Sequence, residues 1–258
     1  LASDLVITGL DTGSAAAITM GDTSNKITIA LADAARDAVD IDGGGGTDTV
    51  VFTEMATGTY RPGLTNVEKL DVDTGDNSVQ SAAITLHLGD AASVTTVELD
   101  LDGGDEDVTV AGASNVTSYL LGGAAAATSD VVTLGSSSTL TITNEAALGA
   151  TDLNLVTPDA TTLTIKQGHG SATDFHTITA AKATTMNLGG TDADTAGTQY
   201  AGGLEATTVD AGELVTLNID SNQGARTINT LTAAKLTTLN IVGDNAVSVG
   251  ANGATTTL

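Results

Sequence analysis

The sequence predicts an all-β chain wound as a parallel β-solenoid, and three observations carry that prediction: a recurring phrase, a β-branched palette and a scarcity of rings. The phrase is apolar-Thr-Thr-apolar. Its last position falls at Val97, Tyr119 (a looser copy), Leu140, Leu163, Met186 and Val209, with steps of 22, 21, 23, 23 and 23. The register then slips by 8 to Leu217 and resumes with a step of 22 to Leu239. A fixed period of this size marks stacked repeats, each burying its apolar face against its neighbours. Aromatics make up 2% of the chain and Trp is absent, so Val, Ile, Leu, Ala and Thr must fill the core. Those residues suit a pleated surface on which like side chains stack from rung to rung.

Charge and cysteine usage narrow the chemistry. Asp and Glu number 32 against 8 Lys and Arg, a net charge of −24. Such a surface repels nucleic acid and anionic lipid and attracts cations. Regular apolar patterning argues against disorder as the reason for the acids, and dense hard oxygen donors suit Ca2+. With no Cys, disulfides, thiolate metal sites and thiol catalysis are excluded together. No run reaches the 18 or so apolar residues of a membrane span, so membrane insertion is not expected. The start, Leu1-Ala2-Ser3-Asp4, has neither an initiator Met nor a positive n-region, the pattern of a processed or internal segment.

Two regions follow one another, an N-terminal β segment over 1–62 and a repeat region over 63–258. In the first, Leu5-Val6-Ile7, Ala17-Ile18-Thr19-Met20 and Lys26-Ile27-Thr28-Ile29 alternate between Gly and Asp punctuation, as short strands do. Between Ala30 and Asp40, Leu31, Ala34, Ala35 and Ala38 also sit at helical spacing, so a turn or two of helix is an alternative there.

The run Gly43-Gly44-Gly45-Gly46-Thr47-Asp48-Thr49-Val50, with Asp40 and Asp42 before it, matches the nonapeptide Gly-Gly-x-Gly-x-Asp-x-apolar. In that turn glycines adopt φ > 0 while backbone carbonyls and the Asp carboxylate coordinate Ca2+. Asp42, Gly43, Gly44, Gly46 and Asp48 are therefore the first metal candidates; a flexible Gly-rich linker before a strand is the plainer reading. Only this copy is clean.

From Leu64-Thr65-Asn66-Val67-Glu68-Lys69-Leu70 onward the repeat takes over, returning as Ala160–Ile165, Ala181–Leu188 and Ala234–Ile241. Residues two apart, such as Leu239 and Ile241, share a face and Asn240 takes the other. Further strands are expected at Ala83–Leu86, Val108–Val110, Val131–Leu134, His176–Ile178 and Thr227–Asn229. Each coil of 22 to 23 residues would trace about 70 Å of chain for a rise of about 4.8 Å, so six to eight coils make a rod. Leu236-x-x-Leu239-x-Ile241-x-x-Asp244-Asn245 also fits a leucine-rich-repeat skeleton, although Ala160, Ala183 and Ala206 replace its leading Leu.

A second acidic corner, Asp100-x-Asp102-Gly103-Gly104-Asp105-Glu106-Asp107, places five acids in eight residues. They repel unless solvated or bridged by metal, making Asp100, Asp102, Asp105 and Asp107 the second candidate set. No bidentate Glu closes the corner at the twelfth position, which excludes an EF-hand. Asp71, Asp73 and Asp76, and Asp192 with Asp194, are lesser clusters. Carboxylate pairs on a solenoid can also hydrolyse polysaccharide, but such work needs basic or aromatic groups to hold the sugar. Lys166, His169 and His176 are the few on offer, and nucleophile-elbow, phosphate-loop and zinc-protease motifs are missing. An enzyme is not expected.

The Gly43–Asp48 turn, Val50-Val51-Phe52, Gly63–Leu70 and the Thr-, Ala- and Gly-rich rungs without Cys or Trp resemble the assembly region of bacterial S-layer proteins of the repeats-in-toxin class. The resemblance implies export by a type I system using a C-terminal signal, Ca2+-triggered folding outside the cell and lateral assembly into a lattice. The expected partners are other copies of the chain and cell-surface polysaccharide. It carries Gly43, Gly44, Gly46 and Asp48 over as calcium-binding. An adhesin or spacer segment of a larger exoprotein is the alternative, because it needs the same rod.

Overall fold

The structure is a computed structural model that describes residues 4–7, 16–31, 39–53, 55, 57–73, 83–102, 107–124, 131–144, 153–168, 173–191 and 203–251. Among these there is no helix, and every pairing between strands is parallel. In chain order the strands are β1 (Asp4–Ile7), β2 (Ala16–Thr19), β3 (Lys26–Ala30), β4 (Val39–Asp42), β5 (Thr49–Thr53), β6 (Gly58–Tyr60), β7 (Gly63–Thr65) and β8 (Lys69–Asp73). There follow β9 (Ala83–His87), β10 (Thr96–Asp102), β11 (Asp107–Ala111), β12 (Ser118–Ala124), β13 (Val131–Leu134), β14 (Thr139–Asn144), β15 (Leu153–Val156) and β16 (Thr162–Gln167). The last are β17 (Thr173–Thr179), β18 (Thr185–Thr191), β19 (Leu204–Asp210), β20 (Thr216–Asp220), β21 (Arg226–Thr232), β22 (Thr238–Val242) and β23 (Val247–Ala251).

They wind into a β-solenoid with turns of about 23 residues, each turn giving one strand to a long sheet. One sheet of eleven strands runs the length of the rod in the order β1-β3-β5-β8-β10-β12-β14-β16-β18-β20-β22. A second, of nine strands, is ordered β23-β21-β19-β17-β15-β13-β11-β9-β6, and β2-β4-β7 form a short third sheet. The long sheet crosses residue 62 without interruption, through β5 paired to β8. Residues 32–38, where helical spacing was noted, lie outside the described residues, and Val39 opens β4.

Strand alternation builds the core. Leu70 and Val72, Val97 and Leu99, Leu163 and Ile165, and Met186 and Leu188 point inward from the long sheet. Ile84 with Leu86 and Val132 with Leu134 meet them from the nine-stranded sheet. Each such side chain is worth about 1.5–3 kcal/mol on burial, and its rung neighbours extend the same stripe. Tyr119 fits this ladder because its hydroxyl donates to the Gly135 carbonyl at 2.6 Å, satisfying the one polar atom it brings inside. The Ala-rich part of the repeat phrase makes a tight corner: Ala183 N–H donates to the Ala180 carbonyl, Leu214 to Ala211, and Leu236 to Ala233. Ala180, Ala183 and Ala211 are buried there.

The structure also explains the slip in the period. Met186 pairs not with Val209 but with Leu217, 31 positions later. Val209 belongs to β19 in the other sheet, opposite Ile178. The eight extra residues are an insertion within one coil, and the segment 192–202 lies outside the described residues. Likewise Tyr119 pairs with Ile142 rather than Leu140.

On the outer face of the long sheet, parallel register lines like residues into columns. Thr139, Thr162, Thr185, Thr216 and Thr238 form one. Beside it run Thr141, Thr164, Asn187, Asn218 and Asn240. The amides form a ladder: Asn187 Nδ2 donates to Thr164 Oγ1 at 2.9 Å, Asn218 to Asn187 Oδ1 at 2.7 Å, and Asn240 to Asn218 Oδ1 at 2.8 Å.

Candidate functional site

The Gly43–Asp48 turn lies between two other corners of the rod. Below it is Gly21–Asn25, and above it Thr65–Glu68. Each level is held by backbone bonds: Met20 N–H donates to the Asp42 carbonyl, Gly43 N–H to Thr65, and Thr49 N–H to Asn25, all at 2.8 Å. Glycine is required by proximity as well as by φ. Gly46 has φ +114, and a Cβ on it would lie 2.6 Å from the backbone N of Ser24. A Cβ on Gly44 would lie 2.7 Å from the Gly21 carbonyl oxygen. On that lower side the two corners therefore meet backbone to backbone.

Asp48 is the centre of the turn and is completely buried. Its Oδ1 accepts the Asn25 backbone N–H at 2.8 Å and the Asn25 amide at 3.1 Å. Its own N–H donates to Glu68 Oε2 at 2.8 Å, so Asn25, Asp48 and Glu68 form a column through three corners. Asp48 Oδ2 has no hydrogen-bond partner. It lies 2.8 Å from the point a Cβ on Gly43 would occupy, and the Asn66 carbonyl oxygen lies closer still to that point. A buried, uncompensated carboxylate oxygen carries a large desolvation penalty. Paired with a carbonyl oxygen, it is the donor type that a hard cation selects.

Asp42 braces the turn. Its Oδ1 accepts Gly44 N–H at 3.0 Å and Asn66 Nδ2 at 2.8 Å. These two bonds, the Asn66 amide first, hold its carboxyl below the ordinary carboxylate range. Asn66 itself takes φ 51, a left-handed conformation that Asn tolerates better than most side chains. Thus Asp42 and Asn66 fix the carbonyl that faces Asp48. Among the described residues no three His, Asp or Glu side chains converge as a metal cluster. A cation here would meet two oxygens, Asp48 Oδ2 and the Asn66 carbonyl, close to Gly43; they are of the hard donor type that Ca2+ takes in larger number.

The second candidate set is spread over two sheets. Asp100 stands on the outer face of β10, beside Asp73 of β8, and its Oδ1 leans onto the site of a Cβ on Gly122. Asp102 ends β10, and Asp105 lies outside the described residues. Asp107 opens β11 on the nine-stranded sheet, where its Oδ1 accepts Val131 N–H at 3.1 Å. Asp71 and Glu98 face each other beside Asp73 and Asp100, with Lys69 bridging to Glu98 at 2.5 Å.

Sequence reasoning missed Asn25, Asn66 and Glu68. The signal was present: Gly21-Asp22-Thr23-Ser24-Asn25 precedes Gly44–Asp48 by one period of 23, so Asn25 falls one rung below Asp48. It also missed a polar seam inside the rod, where Asn144, Gln167, Thr173 and Arg226 are buried. Arg226 Nε donates to the Asp220 carbonyl at 2.9 Å and Nη1 to that of Ala225 at 3.1 Å. Gln167 Oε1 lies 3.5 Å from the same Nη1.

Comparison of the chain with family models, with curated proteins and with solved structures gives no match.

Proposed function

We propose that this chain is a calcium-requiring structural rod that self-assembles at the cell surface, as an S-layer lattice or a related extracellular filament. The observation that carries the reading is Asp48 Oδ2, buried without a partner beside the Asn66 carbonyl. A bound Ca2+ would supply the positive charge that this oxygen lacks. The residues around it do the mechanical work. Asp42 and Asn66 orient the carbonyl, Asn25 clamps the other carboxylate oxygen, and Glu68 ties Asp48 to the next corner. Without compensation the buried charge weakens all three corners together, which suits a chain that stays loose in a calcium-poor cytoplasm and orders outside it.

Self-assembly is supported by the outer face of β14, β16, β18, β20 and β22, where two columns of Thr and Asn carry no charge on a chain of net charge −24. Electron microscopy of the purified protein with and without millimolar calcium tests both parts, alongside a melting curve after chelation. Sheets or filaments that require calcium are expected. Discrete rods in both conditions would leave the adhesin or spacer as the better account.

A further inference from the structure

We infer that the threonine and threonine/asparagine columns of β14, β16, β18, β20 and β22 are a self-association face, which docks against the same face of a second copy. The inference rests on the self-assembly reading above and says which surface carries it.

Charge singles out this face. The chain carries 40 charged side chains and a net charge of −24, yet neither column contains a single one. The same sheet face is charged in its first half, where Lys26, Lys69, Asp71, Asp73, Glu98 and Asp100 stand. Only Lys166 and Asp220 border the uncharged half on the strands that build it, and they are of opposite sign. Two copies of so acidic a rod repel through most surfaces. Through this one they do not.

Hydrogen bonding singles it out as well. The ladder from Thr164 to Asn240 already uses one donor of each amide, and one acceptor of Asn187 and of Asn218, along the rod. What must be desolvated on docking is therefore reduced, and each amide keeps a second N–H and a carbonyl lone pair for a partner at a fixed rung spacing. In-register Thr and Asn ladders on flat parallel sheets pack face to face in this manner. A second copy offers the same spacing by construction, and a twofold contact matches each column with itself.

Size decides what kind of contact it makes. Five rungs about 4.8 Å apart and two columns about 7 Å apart cover a few hundred Å2, less than the roughly 800 Å2 per partner of a stable dimer. This face is suited to a weak contact repeated through an array, where multiplicity supplies the affinity. Such a twofold contact pairs rods side by side.

The chain has no cysteine, so single-cysteine variants give an unambiguous test. Asn218→Cys and, on the opposite sheet, Thr177→Cys are treated with a short bismaleimide at high protein concentration and in calcium-grown assemblies. Trapped dimers from Asn218→Cys, at least tenfold over Thr177→Cys, are expected. In parallel, Thr185→Glu should abolish assemblies with an unchanged melting temperature, whereas Thr185→Val should keep them. Assemblies that form normally with Thr185→Glu, or that trap both cysteines equally, overturn this face while leaving self-assembly standing. A wild-type chain that neither assembles nor traps a dimer overturns both. Retention on insoluble polysaccharide that Thr185→Glu abolishes, with no trapped dimer, would assign the face to glycan instead.

Discussion

Oδ1 of Asp48 accepts the backbone N–H of Asn25 at 2.8 Å across 23 positions of sequence, while Oδ2 of the same carboxylate has no hydrogen-bond partner. The two oxygens make different predictions. Asp48→Asn can keep the bond to Asn25 through its carbonyl oxygen and turn an amide N–H toward the Asn66 carbonyl. Without calcium the variant should melt no lower than wild type, because a buried charge has been removed. With calcium at a hundredfold excess over its dissociation constant, wild type should gain about 2.7 kcal/mol, and the variant nothing. Calorimetric melts across a calcium titration read this directly, and equal responses from the two proteins would remove Asp48 from any cation site.

Gly43→Ala tests the space rather than the charge. Its methyl group would press on the Asn66 carbonyl and sit 2.8 Å from Asp48 Oδ2, and the first of these is backbone with little freedom to yield. A loss of about 1–3 kcal/mol is expected from overpacking, together with loss of the calcium response. Urea unfolding with and without calcium measures both; a variant as stable and responsive as wild type would contradict the close approach.

Asp71 should make the rod more stable in mild acid. Burial first, then Glu98 and Asp100, raise its carboxyl from 3.8 to about 6, with Lys26 and Lys69 opposing. The neighbouring strand β5 contributes no titrating group. Since the folded value exceeds the unfolded one, the stabilisation is complete below about 3.8 and is lost as pH rises through about 6. That difference is worth about 3 kcal/mol in a dry site; Asp71 is half-buried, and screening reduces this to about 1 kcal/mol. Asp71→Asn should therefore stabilise the protein by about 1 kcal/mol at pH 7 and flatten the slope between pH 4 and 6. Urea midpoints at four pH values decide it, and parallel curves for the two proteins would refute the assignment.

The solenoid was legible because strand parity and a 23-residue period are both local signals. The coil with the insertion was not, because Ala206-Thr207-Thr208-Val209 repeats the phrase on β19, in the other sheet. A strand of apolar and Thr residues reads alike in either sheet, and only pairing distinguishes them. Parity also pointed inward for Asn144, Gln167 and Arg226, each two residues from a buried Ile: Ile142, Ile165 and Ile228. Polar character hid them. At the candidate site, glycines and Asp48 were readable as a motif, whereas Asn66 was not, since its role is to present a backbone carbonyl that no residue type announces.

Arg226 is the sharpest test of that inner seam. It is 1% exposed and the largest of the fully buried side chains, and burial draws its guanidinium below the ordinary value against the opposing pull of Asp220. Its Nε and Nη1 donate to the carbonyls of Asp220 and Ala225, so one planar fork ties the end of β20 to the start of β21. Arg226→Ala removes those donors and leaves a cavity, for an expected loss of about 3–5 kcal/mol. Arg226→Lys keeps the charge but cannot reproduce the fork, and should recover less than half of that loss. Arg226→Met fills the volume without burying a charge, and should be the mildest of the three. Denaturant unfolding of the set ranks them. If Lys restored full stability, a point charge rather than the fork would be what the seam requires.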